Sequence, residues 1–317
     1  MAMNSDYLIE RRKLGRRVSF WRWATGLLLI AVIAGLGVYA AGGPELEHRG
    51  AHIAKLKIAG IITGDDETLK LIDEIGESNA KAVLVEIESP GGTVTGSEAL
   101  YDALRKLSAK KPTVALVNGM AASGGYIAAL GTDRIFARET SVVGSIGVLF
   151  QYPDIVGLLD RIGVKVESIK SSPLKAAPSP IESATPESRA AIAALVQENY
   201  DWFKRLVRER RGLDDAGLAT VSDGRVFTGK QGVTLGLVDA VGAEDQARAW
   251  LEQNKNLPRT LPVRDWRRHG FAEKWGLSGL ARVAGLDRIA DFVDLVAKSP
   301  EAGMLDGVLV LWHPQLP

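Results

Sequence analysis

The sequence predicts an α/β fold built on a mostly parallel sheet. Short aliphatic runs alternate with segments of helical spacing, which is the β-α-β rhythm of such folds. At least one run, Ala82 to Ile87 (AVLVEI), is apolar enough for a strand covered on both faces. Gly-rich stretches follow several of the runs, where the chain would turn away from the sheet.

The elements follow in order. Ala54 to Ile62 reads as a strand, and Glu67 to Ala80 as a helix with Leu69, Ile72 and Ile75 on one face. After the strand Ala82 to Ile87 come a helix over Gly96 to Leu107 and a strand over Thr113 to Val117. The small apolar residues Ala121 to Leu130 predict a helix, and Arg134 to Ala137 a short strand. Thr185-Pro186-Glu187 opens a long helix with a cap residue and a proline in the first helical position; Gly212 ends it after about Arg211. From Pro262 the pattern changes. Leu277 to Val296 is amphipathic and reads as a packing or oligomer helix, with a membrane-surface helix as the alternative. The tail Val308 to Pro317 is apolar: a strand, a docking tail or a self-processing substrate.

Composition narrows the function. The 317 residues are 46% hydrophobic and 24% charged, the make-up of an ordinary globular protein. A net charge of +1 gives no field that would recruit nucleic acid. There is no cysteine, which excludes disulfides, thiolate metal sites and a cysteine nucleophile. The four histidines, His48, His52, His269 and His313, all lie outside the Gly-rich central region.

The amino end carries Arg11, Arg12, Lys13, Arg16, Arg17 and Arg22, followed by 19 uncharged residues from Trp23 to Ala41. At about 1.5 Å per residue this run nearly spans a hydrocarbon core of about 30 Å. Trp21, Trp23 and Tyr39 suit the two interfaces, and the basic flank keeps the amino end in the cytoplasm. A cleaved signal peptide is the alternative, with Ala40 to Gly43 as its small-residue site. The expected organisation is a cytoplasmic segment 1–22, an anchor 23–41, a linker 42–51, a catalytic domain 52–261 and a carboxyl-terminal helical extension 262–317.

Three Gly-rich segments sit at strand ends: Ser89 to Gly92 (SPGG), Asn118 to Tyr126 (NGMAASGGY) and Val143 to Val148 (VGSIGV). Ser123 follows a strand between Ala122 and Gly124, so a substrate backbone can approach its hydroxyl closely. The amide of Gly124, with that of Gly92 or Gly91, would supply the paired donors that a tetrahedral oxyanion needs. A serine needs a base. With no central histidine, a lysine in a desolvated setting is the remaining choice, and Lys165, Lys170 and Lys175 are all nearby in sequence.

These segments, together with Ile169 to Pro180 (IKSSPLKAAPSP) and Asp223 to Gly242, resemble the signal peptide peptidase A family over roughly residues 52 to 250. The length is similar to the single-domain form. The resemblance implies a ClpP/crotonase-like fold, with Ser123 as nucleophile, Lys175 as general base, Ser145 orienting the lysine, and Gly92 and Gly124 as oxyanion donors. It implies no metal or organic cofactor. Substrates would be signal-peptide remnants and other hydrophobic peptides. A ring-like homo-oligomer, commonly of eight subunits, would place Ser123 and Lys175 of one site on adjacent protomers. The setting would be the bacterial inner membrane, with the protease domain periplasmic. The chain departs from the family in lacking Asp and Gly soon after the lysine, where it has Ala176, Ala177 and Pro178. The rivals are a proteolytically silent membrane-tethered scaffold, a Ser-His-Asp peptidase and a CoA-binding crotonase.

Overall fold

The computed structural model describes residues 19–30, 32–33, 50–267 and 308–311. Residues 50–267 and 308–311 belong to one compact unit. Residues 19–30 are helical. Among the described residues no helix is long and apolar enough to cross a membrane. The span expected over Trp23 to Ala41 lies partly outside them, and the amphipathic segment Leu277 to Val296 lies wholly outside.

The compact unit is a mixed α/β structure with a mostly parallel sheet, to which ten strands contribute among the described residues. The first part of the unit runs β1 (His52–Ile62), α1 (Asp66–Glu77), β2 (Ala80–Thr93), α2 (Val94–Lys110), β3 (Thr113–Ala122), α3 (Gly124–Leu130), β4 (Arg134–Ala137), β5 (Val142–Gly144) and β6 (Leu149–Phe150). There follow α4 (Val156–Arg161), α5 (Pro186–Arg211), α6 (Asp215–Val221), β7 (Val226–Thr228), α7 (Gly229–Thr234), β8 (Ala240–Val241), α8 (Glu244–Lys255), β9 (Val263–Trp266) and β10 (Val308–Leu311). Strands β1, β2, β3, β4 and β8 pair in parallel, and β5 joins β3 in parallel. β9 pairs in parallel with β1, so the sheet continues past residue 261.

Alternation along β2 fixes the two sides of the sheet, since successive side chains point to opposite faces. Val83, Val85 and Ile87 enter one buried cluster, which includes Leu104 and Leu107 of α2, Tyr126 and Ile127 of α3, and Phe203 of α5. Ala82 and Leu84 enter the other, against Ala247 and Leu251 of α8. Coverage on both faces is why these strands read as continuous apolar runs.

Capping sets the helix starts. Asp65 accepts from the Thr68 amide at 2.9 Å before α1, and Thr93 accepts from the Gly96 amide at 3.0 Å before α2. α5 begins at Pro186 behind the cap Thr185 and ends at Gly212, whose φ of 63° is left-handed. One expectation needs correction. Ala121 and Ala122 are not helical; they close β3, and the helix begins only at Gly124. The alanines are small enough for either state, and the parallel ladder to β5 (Ala122 opposite Gly144) holds them extended.

Candidate active site

Ser123 lies at the junction of β3 and α3. Its φ is 54° and ψ −116°, a conformation that costs a non-glycine residue on the order of 1–3 kcal/mol. The surroundings impose it. The Ser123 amide donates to the Gly144 carbonyl at 2.7 Å, and its carbonyl accepts from the amides of Tyr126 at 2.9 Å and Ile127 at 3.0 Å. α3 is buried along its whole length and is tied down by the Tyr126 hydroxyl, which donates to the Leu237 carbonyl at 2.8 Å. Burial pushes that phenol far above its ordinary pKa, so it remains a donor. Ser123 is 1% exposed, and its Oγ has no hydrogen-bond partner.

Two glycine peptides close on this serine. At Gly92, near the end of β2, a Cβ would fall 1.8 Å from the Ile62 carbonyl oxygen, so only glycine fits. At Gly124 a Cβ would fall 2.3 Å from Ser97 Oγ and 3.1 Å from the Gly92 amide nitrogen. The peptides expected to hold an oxyanion are therefore neighbours. Ser97, itself buried with its hydroxyl on the Thr93 carbonyl at 2.8 Å, backs Gly124. Sequence reasoning passed over Ser97, because a serine inside a helix carries no signal of what lies across from it.

Ser145 is the next residue after Gly144, and the ladder that pairs Ala122 with Gly144 brings Ser145 alongside Ser123. It has φ 54° and is 7% exposed, with its amide donating to the Arg225 carbonyl at 2.9 Å. That carbonyl belongs to the turn Asp223-Gly224-Arg225, where the Arg225 guanidinium holds the Asp223 carboxyl below its ordinary pKa.

Lys175 is placed differently. It is exposed, on a turn whose amide donates to the Ser172 carbonyl at 3.1 Å. Ala176 follows with φ 56°, the left-handed conformation that a glycine would take without strain. No residue from Gly147 to Glu187 is buried. Within one chain Lys175 therefore does not reach Ser123 Oγ, which is unpartnered. Lys170 pairs with Glu182. Of the histidines, only His52 is described. It begins β1, whose other end reaches Gly92, so roughly 30 Å of strand separates it from the serine. No group of His, Cys, Asp and Glu among the described residues could hold a metal ion.

β10 reaches the same place. Leu309, Val310 and Leu311 pair antiparallel with Thr93, Gly92 and Gly91. β1 already occupies one edge of β2 there, with Ile61 opposite Gly91 and Ile62 opposite Gly92. β10 must lie on the other edge, the one that β3 follows as far as Ala121, opposite Ser89, just before Ser123. On its far side β10 pairs with β6, Val308 opposite Phe150. Of the three readings of the tail, its first residues form a strand.

A buried, strained serine at a strand-to-helix turn, closed on by two glycine peptides, fits the site of a serine hydrolase. Comparison with known proteins agrees. A profile of peptidase family S49 matches residues 105–258. The chain is 37% identical over 244 residues to a candidate protease of Synechocystis sp., covering 71% of this chain and 88% of that one. It is 32% identical over 251 residues to a candidate signal peptide peptidase SppA of Enterococcus faecium, covering 74% and 73%. It is 30% identical over 203 residues to the chloroplastic serine protease SPPA of Arabidopsis thaliana, covering 62% of this chain and 30% of that one. The chain belongs to peptidase family S49, as a serine protease of the signal peptide peptidase A family.

Proposed function

We propose that the chain is a membrane-tethered endopeptidase of ClpP/crotonase-like fold, working through a Ser123–Lys175 dyad completed between protomers. The observation that carries this reading is the buried Ser123 hydroxyl, unpartnered within its own chain and flanked by the Gly92 and Gly124 peptides. The exposure of Lys175 on a segment without buried residues supports a lysine that finds its setting against a neighbouring copy. Enclosure there would desolvate the amine and favour its neutral form.

In the proposed reaction neutral Lys175 takes the Ser123 proton as Oγ bonds to the substrate carbonyl carbon. The carbonyl oxygen becomes an oxyanion held by the Gly92 and Gly124 amides. The tetrahedral species collapses, the C–N bond breaks, and protonated Lys175 gives its proton to the leaving amine. Water then attacks the acyl ester with Lys175 again as base, and Ser123 regains its proton. Ser145 steers the lysine amine. The reaction requires no metal or organic cofactor.

The substrates on this reading are hydrophobic peptides such as signal-peptide remnants. The protein is a single-pass inner-membrane protein, its catalytic domain periplasmic and assembled as a ring, commonly of eight. Labelling by a fluorophosphonate tests the chemistry. The wild-type protein takes the label at Ser123 and Lys175→Ala does not. Equal labelling of both would remove Lys175 from the mechanism, and no labelling of either would point to a silent scaffold.

A further inference from the structure

We infer that Ser89 is a positioning residue that sets the two halves of the oxyanion-binding site against each other. The inference rests on the serine-peptidase reading above and adds a residue to it.

The sheet is irregular where Ser89 sits. Between the β1–β2 pairs Ala59–Glu88 and Ile61–Gly91, β1 spends one residue, Gly60, and β2 spends two, Ser89 and Pro90. On the other edge, between the pairs Ile87–Val117 and Ser89–Ala121, β2 spends one residue and β3 three. Two bulges thus meet at one position, and Pro90 has no amide to offer either neighbour. Left alone, the stretch leading to Gly92 would be weakly held.

The Ser89 hydroxyl supplies what the ladders omit. It donates to the Gly60 carbonyl at 2.6 Å and accepts from the Gly91 amide at 3.1 Å. Gly60 and Gly91 are both left-handed, with φ of 76° and 116°, so the hydroxyl pins the two turned peptides together. Ser89 also supports the opposite wall. A Cβ at Gly125 would fall 2.7 Å from the Ser89 carbonyl oxygen and 3.2 Å from the Ser89 Cβ, so the first turn of α3 rests directly on this residue. One fully buried residue therefore holds the peptide before Gly92 by its hydroxyl and floors the peptide after Gly124 by its carbonyl and Cβ. The hydroxyl touches no reacting atom. Its effect is on where the Gly92 donor aims against the Gly124 wall, which rests on the Ser89 carbonyl and Cβ.

The test is steady-state hydrolysis of a fluorogenic hydrophobic peptide by the full-length protein in detergent, with inhibition by a peptide boronate and a thermal melt alongside. For Ser89→Ala the expected result is a kcat lower by roughly tenfold to a hundredfold, less than the loss on removing an oxyanion donor outright. KM stays near wild type, the melting temperature falls by only a few degrees as the buried Gly91 amide loses its partner, and boronate affinity weakens in step with kcat. Ser89→Cys, similar in size with a weaker donor, falls between the two. An unchanged kcat in Ser89→Ala, or a kcat that falls only together with a raised KM and a melting temperature lowered by more than that, overturns the inference. If Ser89→Ala shows no folded transition, Ser89→Cys decides by the same criteria. A wild-type protein that neither hydrolyses the peptide nor takes a fluorophosphonate overturns the serine-peptidase reading and this inference with it. An active wild type with an indifferent Ser89 overturns the inference alone.

Discussion

Val310 stands opposite Gly92 in an antiparallel ladder. The carboxyl-terminal strand thus lies along the edge that an extended peptide would use to reach Ser123, held on its far side by β6. A chain ending at Gly307 exposes that edge. Its expected phenotype is a lower KM for short hydrophobic peptides with little change in kcat, and an added peptide of residues 308–317 should restore the higher KM by competition. Unchanged kinetics would mean that the strand and the substrate use different edges.

A dyad completed between protomers predicts complementation. Ser123→Ala and Lys175→Ala each lose activity by a factor on the order of 10⁴–10⁶ alone. Co-assembled after mixing in detergent, the two recover a measurable fraction, because some interfaces pair an intact serine with an intact lysine. Failure of the mixture, with both variants assembled, would place the pair within one chain.

Gly92→Ala has no room for its methyl, which would meet the Ile62 carbonyl oxygen at 1.8 Å. The β1–β2 ladder must part there, so the expected loss is the oxyanion donor itself, roughly 10²–10³ in kcat. Comparison of kcat with the melting temperature separates this effect from general unfolding.

Tyr126→Phe removes the donor to the Leu237 carbonyl and leaves that oxygen buried without its partner. The expected cost is about 1–3 kcal/mol in denaturant unfolding, with a smaller effect on kcat, since the ring still fills its place in the core.

Hydrogen bonding from Lys170, and then from Ser168, holds the Glu182 carboxyl below its ordinary value. The sign follows from linkage. A depressed carboxyl contributes its stability above the unfolded value, 4.5, and loses it as pH falls through the lower folded value. Acidification below about pH 4.5 should therefore loosen the segment bearing Lys175 before the core responds. Hydrogen exchange over residues 164–182, corrected for its intrinsic pH dependence, measures this. Glu182→Gln should reproduce the loosening at neutral pH.

Much of the sheet was legible because its strands are covered on both faces. Ala82–Ile87 reads as continuous apolar sequence for that reason, and its neighbours could be ordered by the alternation around it. Helix α5 was legible from Thr185, Pro186 and Gly212 alone, since capping is local chemistry. What failed to show was tertiary. Ala121 and Ala122 look helical until β5 pairs with β3, and Ser97 and Ser89 look ordinary until the glycines opposite them are in place. At the site, the sequence picks out Ser123 by its small neighbours. The lysine was chosen by likeness to a family, because nothing local marks Lys175 apart from Lys165 or Lys170. The structure shows why: no residue from Gly147 to Glu187 is fully buried, so the apolar residues there mark no core face of this chain against which one lysine could be placed.

That bare segment has a consequence for the life of a single protomer. The serine half of the proposed machinery is built by the core and is present as soon as one chain folds. The lysine half is held in its own chain only by surface bonds such as Lys170–Glu182, and nothing there carries it to the serine. On that reading a newly made subunit, alone, would carry a nucleophile that cannot fire. Proteolysis would switch on only where enough copies gather to lend each other a base, so local abundance rather than synthesis would act as the safety catch.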